Sequence, residues 1–270
     1  MDLDLRKLRY FATVAELKHF GRAAEHLYIA QPVLSRQIRA LEQELGCALL
    51  TRTTRSVQLT AAGERLREES RTVLATVDSA VRRVHEADRG VERLVVGFMP
   101  GLHVSAAVRP FTAAHPDIEI ELLQLRWWEQ DAPLRDGRAD VGYLRRPFDE
   151  AGLRVEVIGS EQRVACLPVT HPLARRRTLK WADLAGESIV DAQARRTSTV
   201  EEKFELVAAG RGIAVVPESV AQTYSRSDLA AIRMADAEPV EVCIAAAEDR
   251  SESRVLDFVR TAVAVLDGEP

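Results

Sequence analysis

Leu5, Leu8, Phe11, Ala12 and Val14 recur at the spacing that gathers side chains on one face of a helix, so a first helix is expected over residues 5–14. A second, short helix is expected over 20–27, through the small residues Ala23 and Ala24. A third begins at Gln31 and Pro32, because proline suits the first helical turn, where its missing N–H would be unpaired anyway. It runs to Leu45, with Gly46 as its stop. Leu34, Ile38, Leu41 and Leu45 fall on one stripe of that helix, while Gln31, Pro32, Ser35, Arg36 and Arg39 gather on another. Residues 48–50 and 56–59 read as short strands around the basic stretch 51–55, a hairpin or wing. Thr60 is a good helix cap, and residues 61–88 predict a helix of roughly 40 Å. On it Leu66, Val73 and Ala80, with Ser70, Val77 and Val84, are spaced as a weak heptad seam.

Past Val91 the pattern changes to alternating strands and helices, which predicts a mostly parallel α/β sheet. Strands are expected at 94–98, 118–125, 140–144, 155–158, 164–167, 188–190, 213–216 and 240–245. The clearest helices lie at 105–114, 200–209, 218–224 and 251–266. The fold class is therefore α/β with an all-α, winged N-terminal part.

Charge sharpens this division. The chain has 270 residues and a net charge of −4, yet its first 58 residues carry nine basic against six acidic side chains, a net +3 that leaves −7 for the remainder. A basic segment joined to an acidic one suits a protein of which one part meets a polyanion; a solvated surface fits the same count. No run approaches the ~18 apolar residues needed to cross a bilayer, and the N-terminus is charged where a signal peptide would be apolar, so a cytoplasmic protein without a membrane partner is expected. Cys47, Cys166 and Cys243 are odd in number and widely spaced, which argues against a disulfide scaffold or a cysteine-built metal site. The apolar strands around Cys166 and Cys243 favour burial over redox sensing. No GxSxG, Walker or HExxH motif occurs, and Gly210-Arg211-Gly212 lacks the third glycine of a dinucleotide fingerprint. Neither an enzyme nor a resident cofactor is expected.

Two short helices joined through Tyr28, Ile29 and Ala30 make a helix-turn-helix whose second helix can enter a major groove. Glutamine and arginine make bidentate contacts to base edges, and Ser35 suits a phosphate or a base. A structural three-helix bundle with a solvated basic face fits the same pattern. In the second half, open α/β sheets take ligands beyond the carboxyl ends of their strands. There lie Pro100, Gly101, Leu102 and His103, then Arg126, Trp127 and Trp128, then Tyr143 and Arg145, with Thr197 and Thr199 ahead of a later helix. Adjacent tryptophans beside an arginine suit a carboxylate or ring-bearing effector; one tryptophan in the core and one on a dimer surface is an equal reading.

The run from Leu8 to Leu66, LRYFATVAELKHFGRAAEHLYIAQPVLSRQIRALEQELGCALLTRTTRSVQLTAAGERL, resembles the LysR-type transcriptional regulators in its small residues, Gln-Pro helix start, LE..LG helix end, R..R wing and LT.AG motif. The likeness continues through Phe111 to Leu122, Leu134 to Gly142, Thr170 to Ala174 and Leu206 to Pro217. The resemblance implies a winged helix-turn-helix DNA-binding domain over 1–59, a linker and dimerisation helix over 60–90, and an effector-binding domain over 91–270 similar to periplasmic binding proteins. Lobe one would take 91–160 and 238–270, and lobe two 161–237. It further implies a homodimer or homotetramer, double-stranded DNA as partner, RNA polymerase as a second partner for an activator, and an unidentified small-molecule effector. DNA contacts would come from Gln31, Pro32, Ser35, Arg36 and Arg39, with Arg52 and Arg55 on the wing. The chain departs from the family at Ala30, where a serine cap is usual, at Leu50, where phenylalanine is usual, and in the stretch 191–199, too short for the helix and strand most members place there. The implied function is sequence-specific transcriptional regulation modulated by an effector between the lobes; an effector-independent repressor whose C-terminal domain only oligomerises is the alternative.

Overall fold

The first helix starts at a carboxylate: Asp4 accepts the Arg6 N–H at 2.8 Å, satisfying a donor that a helix N-terminus leaves over. The computed structural model describes residues 3–52, 57–190 and 197–267 and divides into two units, Met1–His85 and Glu86–Pro270. In the first, helices α1 (Leu5–Leu17), α2 (Phe20–His26) and α3 (Gln31–Leu45) enclose Phe11, Val14, Leu34, Ile38 and Leu41. Ala23 and Ala24 of α2 are buried in that core, where their small side chains permit a close approach to α3. At the far end of α3, Glu42 Oε1 accepts the N–H groups of Leu49 at 2.9 Å and Leu50 at 3.1 Å, turning the chain into β1 (Leu50–Arg52). Strand β2 (Val57–Leu59) pairs with it antiparallel.

Helix α4 (Ala61–Arg89) is capped as its sequence predicts. Thr60 Oγ1 accepts the Gly63 N–H at 3.0 Å and donates to the Ala48 carbonyl at 2.7 Å. A Cβ at Gly63 would stand 2.0 Å from the Leu49 carbonyl oxygen, so only glycine lets α4 lie this close to the strand below it. No described helix is long and apolar enough to cross a membrane.

The second unit carries β3 (Glu92–Phe98), β4 (Ile118–Gln124), β5 (Val141–Arg145), β6 (Leu153–Glu161), β7 (Arg163–Pro168), β8 (Thr178–Leu179), β9 (Ala214–Pro217), β10 (Leu229–Met234) and β11 (Val240–Ala247). One sheet has the order β4-β3-β5-β11-β6 and the other β8-β10-β7-β9. In the first, β3 runs parallel to β4 and β5, while β11 is antiparallel to β5 and β6. The chain passes from the first sheet to the second at Gln162 and returns between Met234 and Val240, so two connections join two lobes. Helices α5 (Ser105–Ala114) and α9 (Ser253–Asp267) cover one face of the first sheet over Val96, Phe111, Val141 and Phe258; α6 (Ala132–Arg135) borders the other, over Val95, Met99, Leu134 and Leu144. Strand β3 is thus covered on both faces, and its apolar residues run in succession instead of alternating. In lobe two, α7 (Val200–Ala208) and α8 (Glu218–Thr223) cover Val164, Cys166 and Val216.

One buried ion pair ties lobe one together from distant parts of the chain. Asp140 accepts the Val95 N–H at 2.7 Å and Arg250 Nη2 at 2.5 Å, and both residues are buried.

Helix α5 has the expected bounds, whereas the strand expected at 188–190 is reduced to an isolated parallel bridge between Ile189 and Ile213. Strands β8 and β10 had no clear signal: the former is two residues long, and alanines interrupt the apolar alternation of the latter. Residues 53–56 of the wing, including Arg55, and 191–196 of the short stretch lie outside the described residues.

Two substitutions test these contacts. Arg250→Ala strands the Asp140 carboxylate without its cation and should cost about 3–5 kcal/mol in denaturant unfolding; a loss below about 1 kcal/mol would show that the pair is not structurally coupled. Gly63→Ala should lower the melting temperature of the N-terminal unit, and an unchanged transition would contradict the close approach of α4 to β1.

Candidate functional site

Helix α3 buries one stripe and leaves another to solvent. Leu34, Ile38 and Leu41 hold it in the three-helix core, and Gln31, Pro32, Arg36 and Arg39 are exposed on its outer surface, with Ser35 half-buried between. Ala30 makes no side-chain cap, so the helix start relies on Pro32, which needs no N–H partner. In the same unit Lys7 pairs with Glu44 and Arg9 with Asp78. Arg52 ends β1, its backbone in register with Val57; its side chain, like Arg55, lies outside the described residues. This arrangement presents amide and guanidinium donors from a helix held rigid behind them, which suits reading base edges and phosphates.

In the second unit the residues after the strands of lobe one meet lobe two. Pro100 and Gly101 form a buried turn after β3, with Gly101 at φ +84, where a Cβ would come 2.8 Å from the Val220 N on α8. Arg145, at the end of β5, is only 3% exposed and satisfies its donors on several segments. Its Nη1 donates to the Pro100 carbonyl at 2.8 Å, its Nε and Nη2 to Glu161 Oε1 at 3.2 and 3.1 Å, and Nη2 also to Ser219 Oγ at 2.8 Å. Glu161 in turn accepts the Ser219 N–H at 3.3 Å and the Ser219 hydroxyl. Burial pulls the Arg145 guanidinium below its ordinary range, and the Glu161 carboxylate pulls the other way. Gln130 holds the Arg145 backbone, accepting its N–H at 2.9 Å and donating to its carbonyl at 2.7 Å.

Around this clamp lie further contacts between the lobes. Gln124 Nε2 donates to the Tyr224 hydroxyl at 3.0 Å, and His103 Nε2 stands 3.5 Å from Thr223 Oγ1. Trp127 packs against apolar clusters of both lobes, and its buried indole N–H has no hydrogen-bond partner among the described residues. The buried Lys203 of α7 places its ammonium 4.8 Å over the Trp127 ring. Trp128 is more exposed, with the Arg126 guanidinium 5.9 Å above its ring. Tyr143 is buried, which raises its phenol well above the ordinary range. Leu102 is half-buried, Thr197 is buried, and Thr199 caps α7 by accepting the Glu202 N–H at 3.1 Å.

The structure thus gathers Pro100, Gly101, His103, Trp127 and Arg145 along the seam between the lobes, packs Leu102 and Tyr143 into the core of lobe one, and sets Arg126 and Trp128 toward solvent. Sequence reasoning passed over Glu161, Ser219 and Lys203. For Lys203 a signal existed, since Val200, Phe204 and Val207 place it on the apolar face of an amphipathic helix.

Over residues 5–64 the chain matches a family model described as bacterial regulatory helix-turn-helix protein, lysR family, and over 85–197 that of the LysR substrate binding domain. It is 42% identical over 197 residues to the uncharacterized HTH-type transcriptional regulator YnfL of Escherichia coli (strain K12), an alignment that takes in 70% of this chain and 66% of that protein. It is 32% identical over 290 residues to the HTH-type transcriptional regulator CatR of Pseudomonas putida, taking in 97% of this chain and 99% of CatR. The crystal structure of full-length CbnR complexed with its target DNA has a similar fold, with a TM-score of 0.65 at 23% identity over 97% of this chain and 99% of that one.

The cysteines differ in exposure. Burial pushes the Cys166 thiol up to about 12 against the opposing pull of Lys203, and also raises Cys243, whereas Cys47 is exposed. A raised thiol holds little thiolate, the reactive form, below its own titration range. At pH 8 the native protein should therefore take up iodoacetamide at Cys47, with Cys166 and Cys243 modified once denaturant is added; mass-spectrometric mapping that finds Cys166 alkylated in the native protein would contradict this.

Proposed function

This chain belongs to the LysR family of bacterial helix-turn-helix transcriptional regulators, and from that premise we propose how its own residues read DNA and an effector. It is a DNA-binding regulator with a substrate-binding domain. Helix α3 enters a major groove with Gln31, Pro32, Ser35, Arg36 and Arg39 toward the bases and flanking phosphates, and the wing arginines Arg52 and Arg55 follow the backbone. The observation that carries this reading is the exposed Gln31, Arg36 and Arg39 on a helix whose opposite stripe is fully buried.

The effector sits at the seam between the lobes, bounded by the turn after β3, Trp127 and the start of α7. An aromatic wall and a buried indole N–H with no acceptor among the described residues suit a small organic acid, whose carboxylate takes the N–H while its body covers the ring. A ligand there shifts the balance between arrangements of the two lobes according to its differential affinity for them. The protein acts as an oligomer joined through α4, on which Val73 and Val84 are exposed along the heptad seam. It works in the cytoplasm, performs no catalysis, needs no cofactor beyond the effector, and contacts RNA polymerase where it activates.

Binding to duplex DNA flanking its own gene should weaken steeply with salt, and Arg36→Ala should remove about 1–3 kcal/mol of binding free energy. Equal affinity for that DNA and for random duplex would overturn the DNA reading. In thermal shift against a panel of aromatic and aliphatic acids, at least one acid should stabilise the wild type, by about 2.7 kcal/mol at a hundred times its Kd, and Trp127→Ala should lose that shift. A panel that stabilises neither protein would count against the organic-acid assignment.

A further inference from the structure

Helices α2, α3, α4 and α7 end in the same backbone device. One residue takes the left-handed conformation, and two successive N–H groups reach back to carbonyls of the last turn. At the end of α3 that residue is Gly46 (φ +68), whose N–H reaches the Gln43 carbonyl while Cys47 reaches Glu42. After α4 it is Gly90 (φ +65), with bonds to Ala87 and, from Val91, to Glu86. After α7 it is Gly210 (φ +69), with bonds to Val207 and, from Arg211, to Leu206. After α2 the pattern is the same, Tyr28 to Glu25 at 3.1 Å and Ile29 to Ala24 at 3.0 Å, but the left-handed residue is a tyrosine at φ +54. Glycine takes this conformation without a Cβ clash; an aromatic residue is strained in it.

The tyrosine ring does not offset that strain by burial. Tyr28 is 95% exposed, while its neighbours Leu27 and Ile29 pack against the three-helix core. The ring stands instead at the turn that leads into α3, three residues before Gln31. Strain retained at a solvated position beside a binding surface points to a role outside the folded chain.

We propose that Tyr28 is a DNA-contacting residue, its phenolic O–H donating to a phosphodiester oxygen on the strand that flanks the groove entered by α3. This rests on the DNA reading above and adds a contact to it. A tyrosine hydroxyl is a neutral donor, so the contact fixes the register of α3 without adding to the charge neutralised on the DNA. That neutrality separates it from the arginines. A lysine or arginine on a phosphate releases a counterion and steepens the salt dependence of binding, whereas a hydroxyl does not.

The test compares full-length wild type, Tyr28→Gly, Tyr28→Phe and Arg36→Ala, by fluorescence anisotropy on an operator duplex at several salt concentrations and by thermal denaturation. Tyr28→Gly should melt at a higher temperature than wild type and yet bind the operator about tenfold more weakly, with an unchanged salt slope. Tyr28→Phe keeps the strain and loses the hydroxyl, so its melting temperature should match wild type while its affinity falls as in the glycine variant. Wild-type affinity in either variant overturns the contact, and so does a salt slope reduced by about one, which would mean that a charged contact had moved. Full DNA affinity with loss of transcription activation would assign Tyr28 to a protein partner and equally overturn it. A wild type with no operator preference would sink the DNA reading itself, and the contact with it; binding by wild type with loss in Arg36→Ala keeps the two failures distinct.

Discussion

A guanidinium withheld from water governs the second unit. Removing Arg145 from solvent costs several kcal/mol, about what a buried ion forfeits, unless its donors find acceptors in the fold. They do so on the turn after β3, on the last residue of β6 and at the start of α8. Of these segments only α8 belongs to the second lobe, so separation at this point breaks the Ser219 bonds to Arg145 and Glu161 while the Arg145–Glu161 pair stays within lobe one. The close approach that the network imposes also explains why residue 101 is glycine, since a side chain there would meet the backbone of α8. A rearrangement of the two lobes has to replace those Ser219 bonds with equivalent ones.

The N-terminal unit rests on a different principle. Its core is apolar and local, with helices that pack through Phe11, Leu34, Ile38 and Leu41, and its polar bonds mostly serve to end one element and begin the next. Thr60 joins the strand segment to α4, Glu42 joins α3 to β1, and the carbonyls of α2 are closed by Tyr28 and Ile29. Such junctions fix α3 from its ends and its buried stripe and leave Gln31, Arg36 and Arg39 exposed.

Local chemistry made much of this legible in the sequence. The Gln-Pro start and glycine stop bracket α3 at its observed bounds, Thr60 caps α4 as its position predicts, and the apolar spacing of α5 gives its ends. Each of those signals lies within a few residues of the structure it specifies. The strand expected near Ile189 and the unexpected β8 and β10 fall where local signal is thin, because their pairing comes from the neighbouring strand and not from their own alternation. The same limit applies to the seam. Arg145 and Trp127 are recognisable from their place after strands, but the Glu161 and Ser219 that hold Arg145 are 16 and 74 residues away.

By itself, then, the sequence determined the order of elements through α5, the division into a basic helical segment and an acidic α/β remainder, the polar stripe of α3 and the family. These depend on periodicity, capping and charge, which act between residues close in the chain. Tertiary structure decided which candidates are engaged and which are open: Arg145 bound within the fold, Lys203 drawn inside beside Trp127, Asp140 joined to an arginine 110 residues later, and Tyr28 left in water in a strained conformation. Burial and ion pairing depend on which distant segments meet, and that is settled when the sheets form and close over their cores.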